Sequence, residues 1–289
     1  MEEKALRLSA VFLMILTAVS FVLLPKLPAL HTWEVEAREE RIAEEEFAQS
    51  QVTMQNLKIK EQNEAAGAKG ELSIRLPEGV TGDQIAVSND YVTQTIRVEI
   101  PQADRTYFDS YPVLGNSDYI DGLSYTRQGE MGVIEVTTNK VYELQTEYDA
   151  QNFYFNFLTP HEVYDKVVVI DAGHGGRAVG ANKQGINEKD IDLAIVLKLK
   201  EIFDNSDQNI GVYYTRTDDS NPTFDQRVQL ANKSDADLFI SIHNNSTRSG
   251  RMSGTSGTQV MYDETSEASR QFAQICLEEV TGRIGSRDK

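Results

Sequence analysis

Along its 289 residues the chain changes its pattern of hydrophobic and polar positions several times. Leu8 to Leu24 is an uncharged apolar run of 17 residues, at the lower limit for a helix crossing a hydrocarbon core roughly 30 Å thick. Trp33 to Gln49 follows, with seven Glu against two Arg, and reads as a solvated helical spacer. Between Glu71 and Leu158 apolar residues recur at every second position in short runs: Leu72 to Leu76, Thr95 to Ile100, Gly132 to Thr137, Val141 to Leu144 and Phe153 to Phe157. This period, with its β-branched and aromatic residues, predicts the strands of a small antiparallel β domain. From Lys166 the pattern shifts once more. Val167 to Ile170 is continuously apolar, as in a strand covered on both faces. A helix, the strand Ile210 to Arg216, a second helix, the strands Asp237 to Ile242 and Gly257 to Tyr262, and a third helix from Glu267 follow. Strands alternating with helices predict an α/β fold with a mostly parallel sheet flanked by helices.

The expected organisation is therefore a cytoplasmic tip and N-terminal transmembrane helix over residues 1–30, an acidic helical stalk over 31–66, the β domain over 67–160 and the α/β domain over 166–289. Lys4 and Arg7 precede the apolar run and the Glu-rich stretch follows it, which orients the amino terminus inside and the body outside. Ala18-Val19-Ser20 also resembles a signal-cleavage site. An anchored single-pass protein and a secreted one are thus both open, and both export the body.

Charge narrows the partners. The formal net charge is −17, nearly all of it before Lys166, and such a chain repels polyanions, so nucleic acid is excluded as a partner. The single cysteine, Cys276, lies in the helical pattern Phe272, Ile275, Leu277, Val280. It is expected as a small core residue and leaves the redox compartment open.

Candidate chemistry gathers in the α/β segment. Asn187 is placed to cap a helix whose apolar stripe runs Ile191, Ala194/Ile195, Lys198/Leu199, Ile202/Phe203, with helical spacing apart from the one lysine, which puts Glu188 at the first helical position. His174 stands in the glycine-rich turn Asp171-Ala-Gly-His-Gly-Gly176, just past the first strand, and His243 directly follows the strand ending at Ile242. If those strands are parallel, their carboxyl ends share one sheet edge, where open α/β sheets place ligands. Two imidazoles and one carboxylate with a vacant position form a catalytic zinc set; zinc so held lowers the pKa of a water and polarises a carbonyl. Spacing alone leaves another account open, two unrelated surface histidines and a glutamate that only complements the helix dipole.

Val168-Val-Ile-Asp-Ala-Gly-His-Gly-Gly176, Glu188 ahead of a helix, Tyr214-Thr-Arg216, Arg227 with Ala231-Asn232, and Ala236-Asp-Leu-Phe-Ile-Ser-Ile-His-Asn-Asn245 resemble, in order, the pattern of the zinc-dependent N-acetylmuramoyl-L-alanine amidases, the type-3 cell-wall amidases. The resemblance covers Lys166 to about Tyr262. It implies that His174, Glu188 and His243 bind Zn2+ and that the substrate is peptidoglycan, cut between N-acetylmuramic acid and L-alanine of the stem peptide. It also implies a bacterial cell membrane as the site of any anchor. Asp171, Arg216 and Asn244 fall on the same pattern as second-layer or substrate contacts; for Asp171, orienting an imidazole and bonding within its own loop are both open. The preceding strand pattern resembles the AMIN domain of cell-wall amidases. The family carries a second glutamate on a later strand, a general base or oxyanion stabiliser, and no position up to Lys289 matches it. The expectation is an amidase domain incomplete at its C-terminus, with that base beyond Lys289. A zinc-retaining but inactive wall-binding or regulatory protein stands as the alternative to a hydrolase, and an interaction module built on the β domain as a third.

Overall fold

The structure, a computed structural model, describes residues 37–46, 55–61, 69–246 and 257–284. Helix α1 spans residues 37–46. The β domain contains β1 (Gln55–Asn56), β2 (Lys60–Glu61), β3 (Leu72–Arg75), β4 (Ala86–Asp90), β5 (Thr95–Pro101), helix α2 (Arg105–Ser110), β6 (Leu114–Gly115), β7 (Ile120–Gln128), β8 (Met131–Thr138), β9 (Glu143–Tyr148) and β10 (Asn152–Leu158). These strands form two five-stranded sheets, β1-β7-β8-β5-β4 and β2-β6-β3-β10-β9. Strict alternation in β5 and β10 sends Ile96, Val98 and Ile100 from one sheet, and Phe153, Phe155 and Phe157 from the other, into a common core. All ladders are antiparallel except the short pairing of β2 with β6. The period-two runs found four of these strands almost to the residue. Strands β4 and β7 went unmarked because one has only Ala86 and Val87 as apolar residues, side by side rather than alternating, and the other is interrupted by a bulge between Ile120 and Gly122.

Two findings alter the reading of the acidic stretch. Strands β1 and β2 lie within the expected stalk yet pair with β7 and β6. Helix α1, expected as a solvated spacer, rests with Ala43 buried and Glu39, Glu40, Ile42 and Glu46 half-buried. The apolar run Leu8 to Leu24 lies outside the described residues, among which no helix is long and apolar enough to cross a membrane.

After the short helix α3 (Pro160–Val163), the α/β unit is built from β11 (Lys166–Ala172), the hairpin β12 (Asn182–Lys183) and β13 (Ile186–Asn187), α4 (Glu188–Asp204), β14 (Ile210–Tyr214), α5 (Phe224–Lys233), β15 (Leu238–Ile242) and α6 (Glu267–Ile284). Strands β14-β11-β15 form a parallel sheet with β11 in the centre, which is why β11 reads as an unbroken apolar run. Val167 and Val169 pack on one face with Tyr213, Leu230 and Ala231; Ile170 and Ala172 pack on the other with Val196 of α4. The first face also takes Val141, Tyr91 and Val92 from the β domain, so the two units share part of a core. The run Gly257 to Tyr262, expected as a strand, carries only an isolated bridge residue at Thr258, and Cys276 on α6 is half-buried rather than core.

Helix α4 meets the sheet with a different face from the one its isoleucines suggest. Glu188, Asp192 and Val196 are buried and Leu199 and Phe203 pack beside them, whereas Ile191, Ile195 and Ile202 are exposed. The helix is rotated so that Glu188 faces the sheet edge, and residues one turn apart follow it inward. This yields a first prediction. Val196→Ala should lower the free energy of unfolding by about 1.5 kcal/mol or more, from two lost buried methyl groups plus a cavity. Ile202→Lys, at a position 65% exposed, should change it by less than about 0.5 kcal/mol. Urea unfolding midpoints check this, and the reverse order would place the other face against the sheet.

Candidate metal centre

Because β11 and β15 are parallel, the segments leaving their carboxyl ends emerge together. His174 follows Ala172 by two residues and His243 follows Ile242 directly. His174 has a positive φ of 59°, uncommon for a residue with a side chain, and it is flanked by Gly173, Gly175 and Gly176. Space explains Gly173: a Cβ there would lie 2.3 Å from the His243 ring. Gly180 is similar, since a Cβ would crowd His174 and Glu188. The chain is thus shaped so that imidazoles from two loops can approach a carboxylate on a helix start.

The resulting distances are specific. His174 Nε2 lies 3.2 Å from His243 Nδ1 and 3.3 Å from Glu188 Oε1, and His243 Nδ1 lies 3.3 Å from that same oxygen. A tetrahedral zinc ion with ligands at roughly 2.0–2.1 Å has ligand-to-ligand edges of about 3.3–3.4 Å. The three atoms therefore form one face of such a tetrahedron, and the donor set fits zinc. Both Glu188 oxygens are fixed from behind, Oε1 by the Asn244 N–H at 2.8 Å and Oε2 by the Ala181 N–H at 2.8 Å.

Asp192 completes a four-residue cluster whose ligand atoms all lie within 4.8 Å of one another. It is fully buried; Oδ1 accepts from Asn244 Nδ2 at 2.7 Å, and Oδ2 has no partner among the described residues. Burial, reinforced by the nearby Glu188 charge, pushes its carboxyl up to about 7. No motif in the sequence singles it out. The available signal was its spacing of four from Glu188, which sets both on one helix face.

Electrostatics at the cluster favour a cation. Burial works against a charged His174 ring, but the carboxylates of Glu188 and Glu39 override it and push the ring up to about 10. Glu188 also resists its burial, since the two histidines hold its carboxyl far below the usual range. An excess of negative charge is thus gathered around three convergent donors.

The other expected site residues are placed as braces. Asp171 touches neither imidazole: its carboxylate accepts from Thr215 Oγ1 and Ser241 Oγ, each at 2.6 Å, and from Arg227. Burial would raise this carboxyl, yet Arg227 and the two hydroxyls hold it down at about 2. Arg227 also donates to Ala172 O and His174 O, both at 2.8 Å. Arg216 donates to Ala172 O at 2.9 Å, Gly173 O at 2.6 Å and Lys189 O at 2.9 Å. Arg216 and Arg227, residues 3% and 2% exposed, tie the His174 loop to its strand and to the first turn of α4 through their guanidinium groups. Of the three residues, Asn244 alone contacts a donor of the cluster directly.

Comparison with known proteins adds to this geometry. Residues 168–289 match the family model described as N-acetylmuramoyl-L-alanine amidase. The N-acetylmuramoyl-L-alanine amidase CwlM of Bacillus licheniformis is 33% identical over 122 residues, 42% of this chain and 46% of that protein. The endolysin of Bacillus phage SPP1 is 45% identical over 86 residues, 30% of this chain and 31% of that protein. Among solved structures, the catalytic domain of the N-acetylmuramoyl-L-alanine amidase CwlV from Bacillus(Paenibacillus) polymyxa var. colistinus is 36% identical. That match covers 43% of this chain and 67% of the other, with a TM-score of 0.39. The chain spans about half the length of the first curated relatives it matches. The family match and these curated relatives make the segment 168–289 similar to the N-acetylmuramoyl-L-alanine amidases.

Proposed function

We propose that this segment binds one zinc ion through His174, Glu188 and His243 and hydrolyses the amide between N-acetylmuramic acid and L-alanine of the peptidoglycan stem peptide. The observation that carries the reading is the triangle of donor atoms with sides of 3.2–3.3 Å, contributed by three separate elements at one edge of a parallel sheet. When bound, zinc supplies a Lewis acid for the amide carbonyl and lowers the pKa of a water. The chain's own residues do the rest. Glu188 is held in one rotamer by two backbone N–H groups, Asn244 couples it to Asp192, and Arg216 and Arg227 freeze the loop carrying His174. Such preorganisation matters because misplaced groups lose most of their catalytic advantage.

The reading extends to location. Leu8 to Leu24 would anchor the protein in the bacterial cell membrane with the α/β and β domains on the wall side, beside their substrate.

Metal analysis after dialysis should find about one zinc per chain. His174→Ala and His243→Ala should each lose it, together with release of stem peptides from purified peptidoglycan. Full zinc occupancy in both variants would refute the ligand assignment, while tight zinc without peptide release would favour a wall-binding protein that does not cleave. For the topology, protease added to intact cells should digest the chain beyond the acidic stretch; complete protection of the β and α/β domains would contradict it.

A further inference from the structure

Helix α1 docks on the α/β unit next to the donor cluster. Glu39, Ile42, Ala43 and Glu46, spaced three and four apart, form its inward face, and Ala37, Arg38, Arg41, Glu44 and Glu45 remain exposed. Two anchors hold it. Glu40 Oε2 accepts the backbone N–H of Phe224 at 2.9 Å, and Glu46 Oε1 accepts from the Arg177 backbone N–H and Nε, both at 3.1 Å. Arg177 reaches on to Glu45 at 3.3 Å. Alongside these anchors, Glu39 Oε2 stands 3.1 Å from His174 Nδ1.

The two nitrogens of His174 therefore face different partners. Nε2 points to Glu188 and His243, and Nδ1 points back to Glu39. An imidazole that offers one nitrogen to a metal ordinarily donates its other N–H to a carboxylate or carbonyl, which sets both tautomer and ring orientation. The contact is sheltered, with the His174 and Glu39 side chains 12% and 19% exposed, so it is screened less than a surface pair. It also lies behind the ring, away from the face where the three donors meet.

We propose that Glu39 is a positioning residue for His174: its carboxylate accepts the Nδ1–H bond and leaves the Nε2 lone pair directed at the metal position. The inference rests on the metal-site reading above. It makes helix α1, 135 residues before the histidine, part of the amidase centre rather than a spacer beside it.

The test measures zinc affinity of the full chain by competition with a chromophoric chelator, and the absorption spectrum of the cobalt-substituted protein. Glu39→Ala should weaken zinc binding roughly 10- to 100-fold and alter the cobalt spectrum; alanine is a good helix former, so α1 itself should persist. Glu39→Gln, whose amide oxygen can accept the same N–H, should recover most of the affinity. Glu40→Ala, which removes a neighbouring anchor without touching His174, should stay within about twofold of the parent. Parental affinity and an unchanged spectrum in Glu39→Ala would overturn the proposal. So would equal losses in all three variants, which would assign the effect to helix docking, or faster peptide release by Glu39→Ala at unchanged zinc affinity, which would make α1 a cover. Failure of the parent chain to bind zinc would instead refute the metal-site reading itself.

Discussion

Two imidazole nitrogens and a carboxylate oxygen held within 3.3 Å of each other, largely out of water, make an arrangement that no chain adopts for its own sake. Each donor must be desolvated and each must give up competing partners, and burial of polar groups without compensation costs several kcal/mol by typical transfer estimates. The features around the cluster follow from this cost. A parallel sheet brings the ends of β11 and β15 to one edge, Gly173 and Gly180 leave out the side chains that would keep the donors apart, and α4 turns a polar face inward so that Glu188 can reach.

The buried Asp171–Arg227 pair belongs to the same requirement. Buried ion pairs are weak sources of net stability, because desolvation offsets most of their attraction. What this one does is geometric. Its carboxylate links Thr215 after β14 and Ser241 on β15, while Arg227 reaches the carbonyls of Ala172 and His174. Three strand ends and the His174 turn are thereby fixed relative to one another, which lets His174 keep a backbone conformation that would be costly in a free loop.

How much of this could be read from the sequence depends on whether a residue's role left a periodic trace. Strand β11 did, because cover on both faces demands an unbroken apolar run, and the histidines stood out because each closely follows a strand end. The face of α4 did not. Ile191, Ile195 and Ile202 satisfy helical spacing as well as the true face does, and the buried positions include Glu188 and Asp192, which hydrophobicity counts as surface. Asp192 was hidden for the same reason. Arg216 and Arg227 fell on recognisable motifs, but bracing and substrate contact look alike until the acceptors are seen. Glu39 was least accessible, since in a stretch with seven Glu nothing local distinguishes one carboxylate from the next.

Charge balance gives these late-found carboxylates a common logic. In the proposed centre a divalent cation would meet one formal negative ligand, Glu188, and two neutral imidazoles, leaving a net charge of about +1 in a mostly buried place. Uncompensated, that charge would be penalised by desolvation. Asp192 on one side and Glu39 on the other each supply a carboxylate outside the donor triangle. The pressure that raises Asp192 comes first from burial and then from Glu188; a cation beside it opposes both by favouring the ionised form. Acidic side chains that look unfavourably crowded in the bare protein thus become complementary to their surroundings once a cation occupies the centre. On this reading the carboxylate of Glu39 is an electrostatic match to the site, and the position of helix α1 is tied to the same charge that would hold the metal.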